Sequence, residues 1–210
     1  MSNELVKRFL SSIVILPVVI FVIYYGSFLF ITFLSILLFL TFYEWVKMSK
    51  KNFIKNLTGI IFLSFSFYSA YQLRDLYGIS FFIFLVMVCV FTDLGGYFFG
   101  KLFKGPKLTK ISPKKTYTGV IGSFVLPIIF CLIYNNFANI NYNEFIKINF
   151  VSLILIISFI SQLGDLIISY FKRVAKIKDT GKILPGHGGI LDRIDGLIFV
   201  IPFLYLFIIL

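Results

Sequence analysis

Thirty-five consecutive residues, 9–43, separate Arg8 from Glu44 without one charged side chain. A single helix of that length would be about 50 Å long, against a hydrocarbon core of about 30 Å. The run is therefore predicted to form two membrane spans, and Gly26-Ser27 is the natural place to turn between them. Further uncharged runs cover 56–73, 76–92, 116–143, 148–164 and 196–210. With their flanks they predict five more spans, which makes about seven transmembrane helices. The runs are continuous rather than alternating, which favours helices over barrel strands. The expected fold is an all-α polytopic membrane protein, one membrane domain over 1–210. Its N-terminal helices occupy 1–75, and 76–210 carry the motifs described below.

Composition supports this reading. Hydrophobic residues make up 59% of the chain and charged residues 14%. A soluble domain has about a quarter of its residues charged, so this chain has too little polar surface to cover a water-soluble globule. A soluble enzyme, a disordered chain and a disulfide-stapled secreted domain are excluded. Cys89 and Cys131 both fall in apolar runs and read as small core residues. Lys7-Arg8 before an apolar run resembles the start of a signal peptide. Bulky Tyr24-Tyr25 stand where a small-residue cleavage site would be, so this segment is expected to be an uncleaved first span.

The charge is one-sided: 20 Lys+Arg against nine Asp+Glu, a net +11. Threaded through seven spans, the cations alternate cleanly. Eighteen fall on one side, and only Arg74 and Lys147 on the other. The positive-inside rule assigns the crowded side to the cytoplasm, with the N-terminus inside and the C-terminus outside. The cell (inner) membrane is the expected location.

The same threading brings five acids to the cytoplasmic depth. Glu44 closes span two, Asp93 and Asp165 lie near the inner ends of spans four and six, and Asp192 and Asp195 open span seven. Charge at membrane depth is costly and tends to be functional. Asp165, Ser169, Lys172 and Arg173 follow an i, i+4, i+7, i+8 pattern and share a helix face; Asp192 and Asp195, at i, i+3, also share one. Any single acid at a helix end more often just pairs with a nearby lysine or sits in water. Carboxylates and cations grouped at one level suit a divalent metal with a phosphate-bearing ligand, because Mg²⁺ prefers one or two carboxylates with phosphates completing its shell.

His187 is the only histidine, and it lies between Gly186 and Gly188-Gly189. Glycines permit φ > 0 and close backbone approach, so Pro185–Gly189 could cradle a phosphate, although a glycine-rich loop alone is weak evidence. An ion-coupled transporter also carries intramembrane acids, but no inverted repeat is visible and the charges sit at one face. A lipid-surface protein would explain the cations but not the ordered string of polar residues. Nucleic acid is not an expected partner, since the cations lie on short loops pinned to a membrane.

That string runs from Ser169 to Asp195. It contains Ser169, Lys172-Arg173, Lys178-Asp179, then His187-Gly188-Gly189, Asp192-Arg193 and Asp195. Upstream are Asp93-Leu94-Gly95-Gly96-Tyr97 with Gly100, Ser112-Pro113-Lys114-Lys115-Thr116 with Gly119, and Gly164-Asp165. Together these resemble the motifs of the phosphatidate cytidylyltransferases, also called CDP-diacylglycerol synthases, over about residues 90–205. The resemblance implies that CTP and phosphatidic acid react, with Mg²⁺, to give CDP-diacylglycerol and pyrophosphate. It leaves open a second metal or a monovalent ion, and a homodimer. It implies metal ligation by Asp165, Asp192, Asp195 and Asp93, and catalytic roles for Lys172, Arg173, His187 and Arg193. Substrate contacts would come from Ser112, Lys114, Lys115, Thr116, Ser169, Lys178, Asp179, Gly186, Gly188 and Gly189. Lys172 with Arg173 could equally be a snorkelling pair at the membrane edge. Lys114 with Lys115 could equally be cytoplasmic anchors, and Arg193 could simply pair with its flanking acids. The chain departs from the family pattern at Thr118 and Ile168, where the family usually has Glu, and at Leu94, where it has a small polar residue.

Overall fold

In the computed structural model, residues 17–50, 52–109, 112, 115–138, 148–183 and 188–209 are described. Seven helices lie among them. These are α1 (17–25), α2 (Ser27–Met48), α3 (Phe53–Phe103), α4 (Tyr117–Ala138), α5 (Phe150–Val174), the single turn α6 (Leu191–Ile194) and α7 (Leu197–Ile209). Four of them, α2, α3, α4 and α5, are long and apolar enough to cross a membrane. The all-α membrane architecture expected from the apolar runs is the one observed.

The breaks fall at glycines. The long uncharged run is interrupted at Gly26 (φ 65°), where α1 gives way to α2. The spans expected over 56–73 and 76–92 are joined in the 51-residue α3, which loses helical geometry at Gly78 (φ 81°, ψ 172°). At 1.5 Å per residue each arm is about 37 Å long, enough for one crossing. α7 has 13 residues, about 20 Å, and is shorter than the span expected over 196–210.

The chain forms two compact units. One contains the chain through Tyr71 together with Phe171–Asp195; the other contains Gln72–Tyr170 and Gly196–Leu210. In the first unit, Trp45 of α2 lies over Gly59 of α3, where any Cβ would collide with the indole. Its Nε1–H donates to the Lys55 carbonyl at 2.9 Å, and its ring meets Phe171 edge-on at 5.1 Å. Burying the indole with its N–H satisfied removes a large apolar surface without stranding a donor.

In the second unit, α5 buries Leu153, Ile154, Ile157, Ser158, Ser161, Gly164 and Ile168, a stripe with helical spacing. Phe84 stacks on Phe150 and Phe91 on Phe130, with centroids 5.1 and 4.1 Å apart. The buried Thr92 and Ser158 hydroxyls meet at 3.0 Å. Cys89 and Cys131 are buried free thiols, as expected of core residues.

The Gly95-Gly96 pair expected within a motif has a packing role. α3 and α4 approach backbone to backbone there: a Cβ on Gly95 would overlap the Gly122 carbonyl, and one on Gly119 would lie 2.7 Å from the Gly96 carbonyl oxygen. Helices in lipid gain little from apolar burial and associate through close packing of small residues. Gly122→Ala should therefore destabilise the protein by about 1–3 kcal/mol through overpacking. This would be seen as a lower Tm of the purified protein in detergent; an unchanged Tm would mean that the helices do not need this closeness.

Candidate functional site

The signature segment starts at the end of α5. Lys176 adopts a left-handed conformation (φ 60°), the Ile177 N–H donates to the Lys172 carbonyl, and the Lys176 N–H donates to the Arg173 carbonyl, both at 3.0 Å. This is the Schellman arrangement, which satisfies the last carbonyls of a helix. It turns the chain sharply and leaves Lys172 on the final turn, half-buried.

Lys172 meets Asp192, its Nζ 2.8 Å from Oδ1. The other oxygen, Oδ2, accepts from the Thr180 N–H at 2.7 Å, the Thr180 hydroxyl at 3.0 Å and the Gly189 N–H at 3.1 Å. Asp192 thus ties the end of α5, the loop at 180 and the loop at 189 to one carboxylate. Burial alone would push this carboxyl up. The Lys172 ammonium, with the Thr180 and Gly189 N–H groups, outweighs burial and holds it below its ordinary value of 3.8.

A second carboxylate lies beneath the first. Glu44 of α2 has no solvent exposure. Its Oε1 accepts from the Ile190 N–H at 3.0 Å; its Oε2 accepts from the Leu191 N–H at 2.9 Å and faces the Thr180 hydroxyl at 2.9 Å. The sequence had placed Glu44 at this depth without including it in the site. The signal was there: a lone carboxylate ending a 35-residue uncharged run. Thr180 was missed altogether; nothing in its spacing marks it.

The other unit carries a separate group. Thr116 caps α4 by accepting the Gly119 N–H at 3.1 Å. An isolated bridge pairs Lys107 with Thr116, the Leu108 N–H donates to the Lys115 carbonyl at 2.8 Å, and the Lys115 N–H donates to the Ser112 carbonyl at 3.1 Å. So fixed, Lys115 places its ammonium 2.5 Å from Asp165 Oδ2, and Ser169 donates to Asp165 Oδ1 at 3.2 Å.

Of the expected site residues, Lys172, Gly189 and Asp192 therefore meet in one group, and Ser112, Lys115, Thr116, Asp165 and Ser169 in another. Asp195 is buried; Asp93, Arg173, Lys178, Asp179 and Arg193 are exposed. Gly188 has φ 87°, a conformation that favours glycine. Lys114, Gly186 and His187 lie outside the described residues. The Gly189 N–H, expected to be available to a phosphate, is engaged by Asp192. No group of three or more His, Cys, Asp or Glu arranged for a metal occurs among the described residues. Thr118 bonds the Lys104 carbonyl at 3.1 Å and meets Thr116 at 3.0 Å, and Ile168 is 2% exposed in apolar packing. Neither position has a carboxylate substitute beside it in sequence.

Comparison with known proteins agrees with these motifs. The cytidylyltransferase family matches in two overlapping segments, residues 6–74 and 53–210. The phosphatidate cytidylyltransferase of Bacillus subtilis is 38% identical over 179 residues, 81% of this chain and 64% of that protein. Those of Staphylococcus aureus and Staphylococcus epidermidis are 39% and 36% identical over 154 residues, 73% of this chain and 58% of theirs. The chain thus spans about three fifths of the length of these curated relatives.

The depressed Asp192 carboxyl makes a pH prediction. Its stabilising contribution is complete above 3.8 and is lost only as the pH falls through its lower folded value. Trp45, the sole tryptophan, belongs to the same unit. Its emission should stay constant from about pH 8 to about pH 5 and change only in stronger acid. A transition nearer neutrality would show that Asp192 is not held in this way.

Proposed function

Because the chain belongs to the cytidylyltransferase family, we propose that it makes CDP-diacylglycerol from CTP and phosphatidic acid at the cytoplasmic face of the cell membrane. The observation that carries this reading is the convergence of Lys172, Gly189 and Asp192, three positions of the Ser169–Asp195 signature, on one hydrogen-bonded centre. In the reaction, a phosphate oxygen of phosphatidate attacks the α-phosphorus of CTP. The α–β anhydride bond breaks, and its electron pair leaves with pyrophosphate. A phosphate monoester is already ionised and nucleophilic at neutral pH, so no strong general base is needed.

Both substrates are anions, and the protein's task is chiefly electrostatic. Lys172 and Lys115 are pre-positioned cations, each aligned by a carboxylate, and are the proposed phosphate contacts. Arg173 and Arg193, exposed within the signature, can add bidentate phosphate binding. The backbone N–H groups of Gly189, Ile190 and Leu191 already serve Asp192 and Glu44, so these three leave phosphate binding to side chains.

Asp165 fits Mg²⁺: its carboxylate is partly open and, among the described residues, is balanced by Lys115 and Ser169. Asp192 fits less well, since Oδ2 already faces three protein donors and Oδ1 is paired with Lys172. A bound Mg²⁺ would supply Lewis-acid stabilisation of charge on the phosphates.

The test is purified protein with radiolabelled CTP, phosphatidic acid and Mg²⁺. Label should reach the lipid phase, and chelation should abolish transfer until Mg²⁺ is restored. No labelled lipid, with an active relative assayed alongside, would overturn the reading. Asp165→Asn should lower kcat by about 10²-fold or more; a wild-type rate would remove Asp165 from the site.

A further inference from the structure

Glu44 lies in α2, more than a hundred residues before the signature it touches, and the family motifs quoted above do not include it. We propose that Glu44 is a positioning residue for the transfer reaction: its carboxylate fixes Thr180 and the stretch 189–191 that leads into Asp192. The inference deepens the cytidylyltransfer reading and rests on it for its consequence on turnover, though not for its structural content.

Three features support it. Glu44 is fully buried, and a carboxylate without water must be matched by donors. Its three contacts, the Thr180 hydroxyl and the N–H groups of Ile190 and Leu191, all belong to the signature segment. None stabilises α2 itself. Second, the loop is shaped around the carboxylate. A Cβ on Gly181 would lie 2.9 Å from Glu44 Cδ, and one on Gly189 would lie 2.5 Å from Oε2. Glycine is therefore required on both sides of the loop for contact with Glu44, independently of any substrate.

Third, the Thr180 hydroxyl stands between Glu44 Oε2 and Asp192 Oδ2, at 2.9 and 3.0 Å. A hydroxyl has one proton to donate, so the two carboxylates compete for it. Asp192 has three other donors and does not depend on it, whereas Glu44 has only two. With the hydroxyl proton on Glu44, Thr180 is fixed from its side chain while its main-chain N–H still bonds Asp192 at 2.7 Å, so Glu44 positions Asp192 through Thr180.

Glutamine cannot replace it. In either orientation its NH₂ would face a backbone N–H, placing donor against donor, although its size is unchanged. Glu44→Gln should leave the helix content close to wild type and lower the Tm by a few degrees, because a buried donor is left unsatisfied. It should speed amide hydrogen exchange at 189–191 and lower kcat at least tenfold, while KM for phosphatidic acid stays within twofold. A merely structural residue would lower the Tm or the folded yield but leave kcat per folded molecule unchanged.

Gly181→Ala, which pushes against the same carboxylate from the loop side, should give the same signature. The double variant should be no worse than the poorer single one. Gly181→Ala also carries the test if Glu44→Gln does not fold. Wild-type exchange at 189–191 in a folded variant, or wild-type kcat with altered exchange, would overturn the proposal. If the wild-type chain transfers no label, the function reading fails on its own, while the exchange measurement still decides whether Glu44 holds the loop.

Discussion

A carboxylate with no access to water needs donors, and Glu44 draws its donors from residues 180–191. That requirement organises one unit of the protein. It fixes Thr180, Ile190 and Leu191 against α2 and accounts for glycine at 181 and 189. It also brings the chain through Tyr71 and Phe171–Asp195 into one compact unit although about a hundred residues separate them. Removing one partner of a buried charged network strands the others, so a change at one position is felt by the whole group.

Asp192 works above it by a different balance. Its burial opposes ionisation, and Lys172 with two backbone N–H groups more than compensates. Lys172 is thereby neutralised locally but held in a single geometry, as a binding cation must be if it is not to reorganise when an anion arrives. Lys115 stands in the same relation to Asp165 in the other unit. Both cations are kept beside acids, so much of the +11 excess falls to the exposed Lys and Arg of the connections between helices.

Much of this was legible in the residues. The apolar runs announced the helices, Gly26 the first break, and the signature the family. Gly95 and Gly96 were read as motif positions, and their contact with Gly119 and Gly122 was not. Pairwise spacing cannot show that two helices touch when the contact consists of absent side chains. Glu44 was noticed for its depth but not for its partners, because its hydrogen bonds cross more than 130 residues of sequence. Thr180 carried no signal, since a threonine in a polar loop is ordinary until two carboxylates converge on it.

The sequence by itself determined the solvent and the family. Too few charges for a water-facing surface meant lipid, and the ordered cations, acids and glycines from Ser169 to Asp195 resembled the cytidylyltransferase signature. These are properties of composition and local order. Only the tertiary structure decided which carboxylate does what. Asp192 ties the loops together, Asp165 stays partly open, and Glu44 lies hidden beneath the signature. Those roles depend on which donors surround each oxygen, and the donors come from distant segments brought together by packing.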